Sequence, residues 1–347
     1  MSKTKIYGFG LIKNGVKFDY PFMESLRSMA PLVEKIFFNV GDCEDETLLK
    51  IEELNKELDN KITILEKPWP KREFGHVLSE MTNYSLNELR KKHSEDNVWG
   101  IYLQSDEVLS ERDYGQIKSD IDHAQGNGFD AVRFRYLHFW QSHFEIAIMK
   151  RWYPHEVRAV KINSKIESWG DAQGFRNYKK VFESDCHIYH YGHIRNENAY
   201  VDKMTEFFKL YYTGMRLKRK TWQYFVRSFD REKTLKYFGH HPEVMKNRIQ
   251  RIEVKYRDTY SRVKGVNIVG ELSKEFTPKI LADEIFQVEN FRDRNKDYPT
   301  VIFNPNNMQK LFRPSKVKDR SESPLCRPWP KDFVSLLKLS EKNIWSN

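Results

Sequence analysis

Asp106 and Glu107 follow directly on an apolar run, Val98 to Leu103, within the stretch GIYLQSDEVLSERD that covers Gly100 to Asp113. Adjacent carboxylates at the end of such a run either turn into solvent or build a site. In open α/β sheets, ligands bind just beyond the carboxyl ends of the strands, so the location is one where a cation or a polar ligand can sit. Three further groups have chemistry to offer. Asp42 follows a second apolar run, Lys35 to Val40. Asp171 lies in the loop SWGDAQGF with glycines on both sides, where an aspartate serves either as a turn former or as a proton acceptor. The stretch HIYHYGH, His187 to His193, spaces its histidines three apart. A helix would put them on one face and suit zinc. The Tyr, Ile and Gly between them favour an extended strand, which sends residues three apart to opposite faces, so a single histidine can reach a metal but a three-histidine cluster does not form.

These groups need elements to position them. Lys5 to Ile12, Lys35 to Val40, Ile62 to Leu65 and Trp99 to Leu103 read as strands; Tyr20 to Met29, Thr47 to Leu58 and Phe74 to Lys91 read as the helices between them. Strands alternating with helices of this length imply βαβ units and a parallel sheet. A helix at Tyr114 to Ala124 and strands at Ala131 to Tyr136, Glu156 to Ile162 and Glu183 to Tyr191 continue the pattern, the last near a sheet edge. From Asn196 the character changes to helical segments rich in Lys and Arg, at Asn198 to Tyr212, Thr221 to Tyr237 and Pro242 to Asp258. Beyond Gly265, only Pro278 to Val288 is strongly periodic, and prolines at 299, 305, 314, 324, 328 and 330 suit an extended tail. The expected division is a catalytic domain over 1–195, a basic helical appendage over 196–264 and a tail over 265–347 that packs on the core.

Two glycine patterns are decoys. GLIKNGVK, Gly10 to Lys17, has the outer spacing of a phosphate loop, but Val16 separates Gly15 from Lys17 and no hydroxyl follows. The Gly8 and Gly10 pair lacks the third glycine of a dinucleotide fingerprint.

Composition narrows the classes. The chain of 347 residues carries a net charge of +10, concentrated in Lys209 to Lys264 and Arg313 to Arg327. That charge suits a solvated helical surface, a polyanion, an anionic membrane surface or a phosphate-bearing substrate. No zinc finger, RNP motif or KH loop marks a specific nucleic-acid binder. Cys43, Cys186 and Cys326 are scattered without a C-x-x-C, which argues against a disulfide framework or a cysteine zinc site. No run is long and apolar enough for a membrane span, and MSKTKIYGFG lacks the features of a signal peptide; the expectation is a cytoplasmic protein, with a peripheral place at the inner face of the membrane left open.

Four segments in order carry a resemblance: FFNVGDCEDET, IYLQSDEVL, SWGDAQGF and HYGHIR. Together they resemble the GT-A glycosyltransferases of the bacterial family-two type, over roughly the first two-thirds of the chain. The resemblance implies an α/β GT-A (Rossmann-like) fold, a mostly parallel sheet flanked by helices. It also implies transfer of a sugar from a UDP- or GDP-sugar donor to a sugar, lipid or protein acceptor, inverting and assisted by manganese or magnesium. Asp106 matches the end of the Asp-x-Asp metal motif, and His190 stands as a further metal ligand. Gln104 replaces that motif's first acid, which weakens hold on a hard cation; Glu107 is close by on a neighbouring direction. Asp42 would bind base or ribose, while Arg72, beside Gly75 at the start of a helix, and Arg195 would contact phosphate. Asp171 would be the base, with Glu156 or Asp185 next in line. Asp45 is better placed to cap the helix at Thr47. Trp140, Trp152 and Trp169 could stack on sugars, although with 18 Tyr and 23 Phe in the chain packing is the commoner fate. The alternative is a non-catalytic nucleotide- or polyanion-binding protein on the same fold.

Overall fold

The computed structural model describes residues 3–70, 76–140, 142–147, 152–194, 197–227, 234–237 and 239–250. These fall into two compact units, one of the described residues within 1–137 and 155–231 and one of those within 138–154 and 232–250.

The first unit is α/β. Its opening half alternates β1 (Lys5–Ile12), α1 (Phe22–Met29), β2 (Ile36–Val40), α2 (Thr47–Glu57), β3 (Ile62–Leu65), α3 (Val77–Lys92) and β4 (Val98–Tyr102). All five residues of β2 and of β4 are buried, as are seven of the eight in β1. Continuous apolar strands of this kind suit a sheet covered on both faces, and β1 pairs in parallel with both β2 and β4 while β2 pairs in parallel with β3. Fully burying a side chain such as Phe9 contributes about 1.5–3 kcal/mol. Helix α1, preceded by Pro21, buries Phe22, Leu26 and Met29 on one stripe. The glycines of β1 serve packing. A Cβ on Gly8 would lie 2.2 Å from Met29 Sδ, and one on Gly10 would lie 3.0 Å from the Leu103 carbonyl, so α1 and the end of β4 can approach β1 only where it has no side chain.

The chain then adds β5 (Glu107–Leu109), α4 (Tyr114–Gly126) and β6 (Ala131–Trp140), which leaves the unit after Leu137. Strand β7 (Glu145–Ala147) belongs to the second unit; β8 (His155–Lys161), β9 (Glu167–Trp169), β10 (Gly174–Arg176), β11 (Val181–His193), α5 (Glu197–Lys209) and α6 (Gly214–Arg227) return to the first. The strand order is β6-β8-β4-β1-β2-β3, with β8 antiparallel to β4 and β6, and β11 paired with β5 and β6. The parallel sheet thus runs outward from β1 to β3 and restarts with β4 on the other flank of β1. That reversal opens a crevice beyond the carboxyl ends of β1 and β4.

In the second unit, β7 pairs antiparallel with β12 (Thr234–Lys236) and meets the end of β6 at Phe139 and Ile146. His241 is buried there, its ring 4.9 Å from Phe139 and 5.2 Å from Tyr237.

Several elements depart from their expected form. The helix expected over Thr221 to Tyr237 is α6, which starts earlier, at Gly214 with its positive φ, and residues 234–236 are a strand. Arg216, Lys218, Arg219 and Lys220 make the start of α6 strongly polar and mask its apolar stripe, and TLK pairs as a strand with β7. Strands β5, β9 and β10 are three residues each, too short to show alternation. The segment Pro242 to Asp258 is described only to residue 250, and the segment Pro278 to Val288 and the tail lie outside the described residues. Among the described residues, no helix is long and apolar enough to cross a membrane.

Candidate functional site at the carboxyl ends of β1 and β4

The two adjacent acids have separate roles. Glu107 is fully buried, and its carboxylate accepts hydrogen bonds from Arg158 Nε and Nη2 at 2.8 Å each, from the Tyr136 hydroxyl at 2.8 Å and from the Gln104 amide at 3.0 Å. Arg158 is equally buried and lies 5.3 Å from the ring centroids of both Tyr102 and Tyr136. The pair anchors the turn after β4, and Glu107 is thereby held away from any ligand. Arg158 was not foreseen; its only trace in the sequence is one charge between Val157 and Ala159 in the buried stretch of β8.

That anchor presents Asp106 to the crevice. Its side chain is only 7% exposed, and Lys203 Nζ, from α5, donates to Oδ2 at 3.1 Å. Lys203 also donates to the Gly192 carbonyl at 3.1 Å. His190 Nε2 lies 3.7 Å from Asp106 Oδ1, and the Tyr191 amide donates to the Asp106 carbonyl at 2.8 Å, so the structure brings Asp106 and His190 together. Gly192 makes this approach possible, since a Cβ there would lie 2.6 Å from His190 Nε2 and 2.8 Å from Asp106 Oδ2. As a seat for a hard dication the cluster fits poorly. Magnesium at a diphosphate site is held by one or two carboxylates together with phosphate oxygens and waters; here the carboxylate of Asp106 already carries the Lys203 ammonium, which a dication would have to displace. Among the described residues no group of three or more His, Cys, Asp or Glu could hold a metal.

Beside this cluster is a cavity of about 400 Å³ whose walls include Lys13, Tyr20, Trp69, Lys203 and Phe207. Asp42 is bonded to two of its wall residues, accepting from Lys13 Nζ at 2.7 Å and from the Trp69 amide at 3.1 Å. Partial burial pushes the Asp42 carboxyl up, but these hydrogen bonds outweigh it and hold the carboxyl below the ordinary range. Asp45 is structural, accepting from the Thr47 and Lys17 amides.

Asp171 Oδ1 accepts from the Gln173 amide at 3.2 Å, closing a turn in which Gly170 and Ala172 both have positive φ. The turn is tethered to the site: Gln104 Nε2 donates to the Ala172 carbonyl at 3.0 Å, and Ser79 Oγ to the Gly170 carbonyl at 2.9 Å. Burial, then the charge of Asp171, raises the Tyr211 hydroxyl well above its usual range. Gln104 therefore ties the Asp106 turn to the Asp171 turn. Of the other candidates, Glu156 accepts from Gln173 Nε2 at 2.8 Å, and Asp185 pairs with Arg135. Trp140 and Trp152 are buried against each other in the second unit, and Trp169 is 44% exposed. Arg72, Gly75 and Arg195 lie outside the described residues.

No known family's sequence profile matches the chain, and no curated protein matches it. Among solved structures it is similar to S. aureus TarS, at 12% identity over 59% of this chain and 39% of that one, with a TM-score of 0.37. TarS 1-349 in complex with UDP-GlcNAc is 14% identical, over 59% of this chain and 65% of that one, with a TM-score of 0.36. Mannose-6-phosphate isomerase from Helicobacter pylori is 20% identical over 42% of this chain and 56% of that one, with a TM-score of 0.28. The chain thus spans less than two-thirds of the length of each of these three solved chains. Likenesses of this size carry no functional inference.

Proposed function

We propose that the protein is a glycosyltransferase that moves a sugar from a nucleoside diphosphate donor, UDP- or GDP-linked, to an acceptor hydroxyl with inversion. One observation carries this reading: a cavity whose walls include Lys13 and Asn14 just past β1, Trp69 past β3 and the aromatic rings of Phe18 and Tyr20 is joined by Lys203 to the buried carboxylate of Asp106 after β4. Trp69 offers a face for the base and Asp42 an acceptor for its polar edge or for ribose, with the diphosphate directed to the Asp106 cluster. The acceptor oxygen attacks the anomeric carbon, its proton passes to Asp171, and the bond to the diphosphate breaks with its electron pair staying on the phosphate oxygen. Support for Asp171 as the base comes from the tether through Gln104, which fixes its turn relative to Asp106. The acceptor is a sugar, lipid or protein hydroxyl.

Gln104 also favours a second reading, a non-catalytic nucleotide or polyanion binder, because a neutral amide stands where the resemblance wants an acid. A thermal-shift titration against UDP- and GDP-sugars, followed by assay of donor turnover, separates the two. The enzyme reading expects stabilisation that grows with ligand concentration together with release of UDP or GDP. Stabilisation without any turnover on a panel of hydroxyl acceptors favours the binder, and no stabilisation by any nucleotide sinks both donor-site readings.

A further inference from the structure

We infer that Lys203, and not a divalent cation, supplies the positive charge that Asp106 holds against the donor's diphosphate. This rests on the nucleotide-sugar reading above. The Lys203 side chain is 14% exposed and the Asp106 side chain 7%, so the ion pair is largely withdrawn from water. Its ammonium is fixed from two sides, by Asp106 Oδ2 and the Gly192 carbonyl, both at 3.1 Å, and it lies 4.9 Å from the Tyr20 ring centroid. Lys203 and Tyr20 also line the cavity, so the charge faces the space a diphosphate would enter. A dication on the same carboxylate would stand within a few ångströms of that ammonium, and like charges that close are strongly unfavourable where water is scarce. Asp106 then acts as the positioning residue for the lysine. The ammonium meets the phosphate oxygens as a charge-assisted donor and steadies the charge left on them when the sugar departs.

The test is a titration of the full chain with UDP and with GDP, first in EDTA and then with manganese. Wild type should bind one of them in EDTA, with an affinity that manganese leaves unchanged. Lys203→Gln should lose about ten- to a hundredfold in affinity, the worth of one charged hydrogen bond. Lys203→Arg, which keeps the charge and guards against a variant that merely misfolds, should retain most of it. Two results overturn the inference while leaving the donor site intact: wild type that binds only with manganese, or Lys203→Gln that folds and binds like wild type in EDTA. Absence of binding to either nucleotide in both buffers removes the donor-site reading itself, and this inference with it.

Discussion

At the scale of single residues, the two acids after β4 are chemically alike and do opposite things. Glu107 is spent on the fold. Its partner Arg158 is fully buried, so Glu107→Gln would leave a desolvated guanidinium with a neutral neighbour. Breaking a buried pair from one side typically costs about 3–5 kcal/mol, and chemical denaturation should show a loss of that order; a loss well under 1 kcal/mol would mean that water reaches the pair. Asp171 calls for the opposite experiment. Asp171→Asn keeps the acceptor oxygen for the Gln173 amide and so the turn, but removes the proton acceptor. Nucleotide affinity should stay near wild type while kcat drops by roughly two to four powers of ten. Near-normal turnover would make Asp171 a turn former, and Glu156, bonded to Gln173 from the other side, the next base to examine.

At the scale of elements, what was legible in the sequence is what has a period. The alternation of β1 to β4 with α1 to α3 stands in the apolar runs, and the Asp106 turn stands at the end of one of them. Pairings between distant segments left no such mark. Nothing local says that Lys203 would reach Asp106, 97 positions away, or that Arg158 would reach Glu107 across 51. Gly192 is a case between the two: the sequence shows a glycine in a strand, which signals close approach, but not what approaches. Gly192→Ala should force His190 and Asp106 apart, cost about 1–3 kcal/mol of stability as overpacking of a buried site does, and lower nucleotide affinity in the folded variant; unchanged affinity would place the cluster outside the donor site. The second unit yields a pH prediction. Burial first, then the neighbouring His143 and His240, hold the His241 imidazole well below its ordinary value of 6.5, so it stays neutral in the folded chain while the unfolded chain takes up its proton. Stability from this group is complete above pH 6.5 and is lost as pH falls below it, at up to about 1.4 kcal/mol per pH unit. His241→Phe keeps a ring among Phe139, Phe144 and Tyr237 and should flatten the decline between pH 7.5 and 5. An equally steep decline in the variant would assign the acid sensitivity to other groups.

At the scale of the whole molecule, the excess of +10 charges has to be solvated or matched. Helix α6 carries part of it in the open: Arg216, Lys218 and Arg219 are exposed, next to Met215 at 79% exposure. A short basic helix with an exposed apolar side chain suits the surface of an anionic bilayer, where each Lys or Arg is worth about 1 kcal/mol and the attraction fades within a Debye length of about 8 Å at physiological salt. A transferase with a lipid acceptor would gain from that contact, since the bilayer would concentrate the acceptor beside the site. The full chain should therefore sediment with vesicles containing phosphatidylserine at low ionic strength, and release as salt rises through the physiological range. Reversing the three charges, as Arg216→Glu, Lys218→Glu and Arg219→Glu, should abolish sedimentation while leaving nucleotide affinity unchanged, because none of the three lines the cavity. Wild type that stays in solution at low salt would leave the charge of α6 as an ordinary hydrated surface, and the acceptor would then be sought among soluble sugars and proteins.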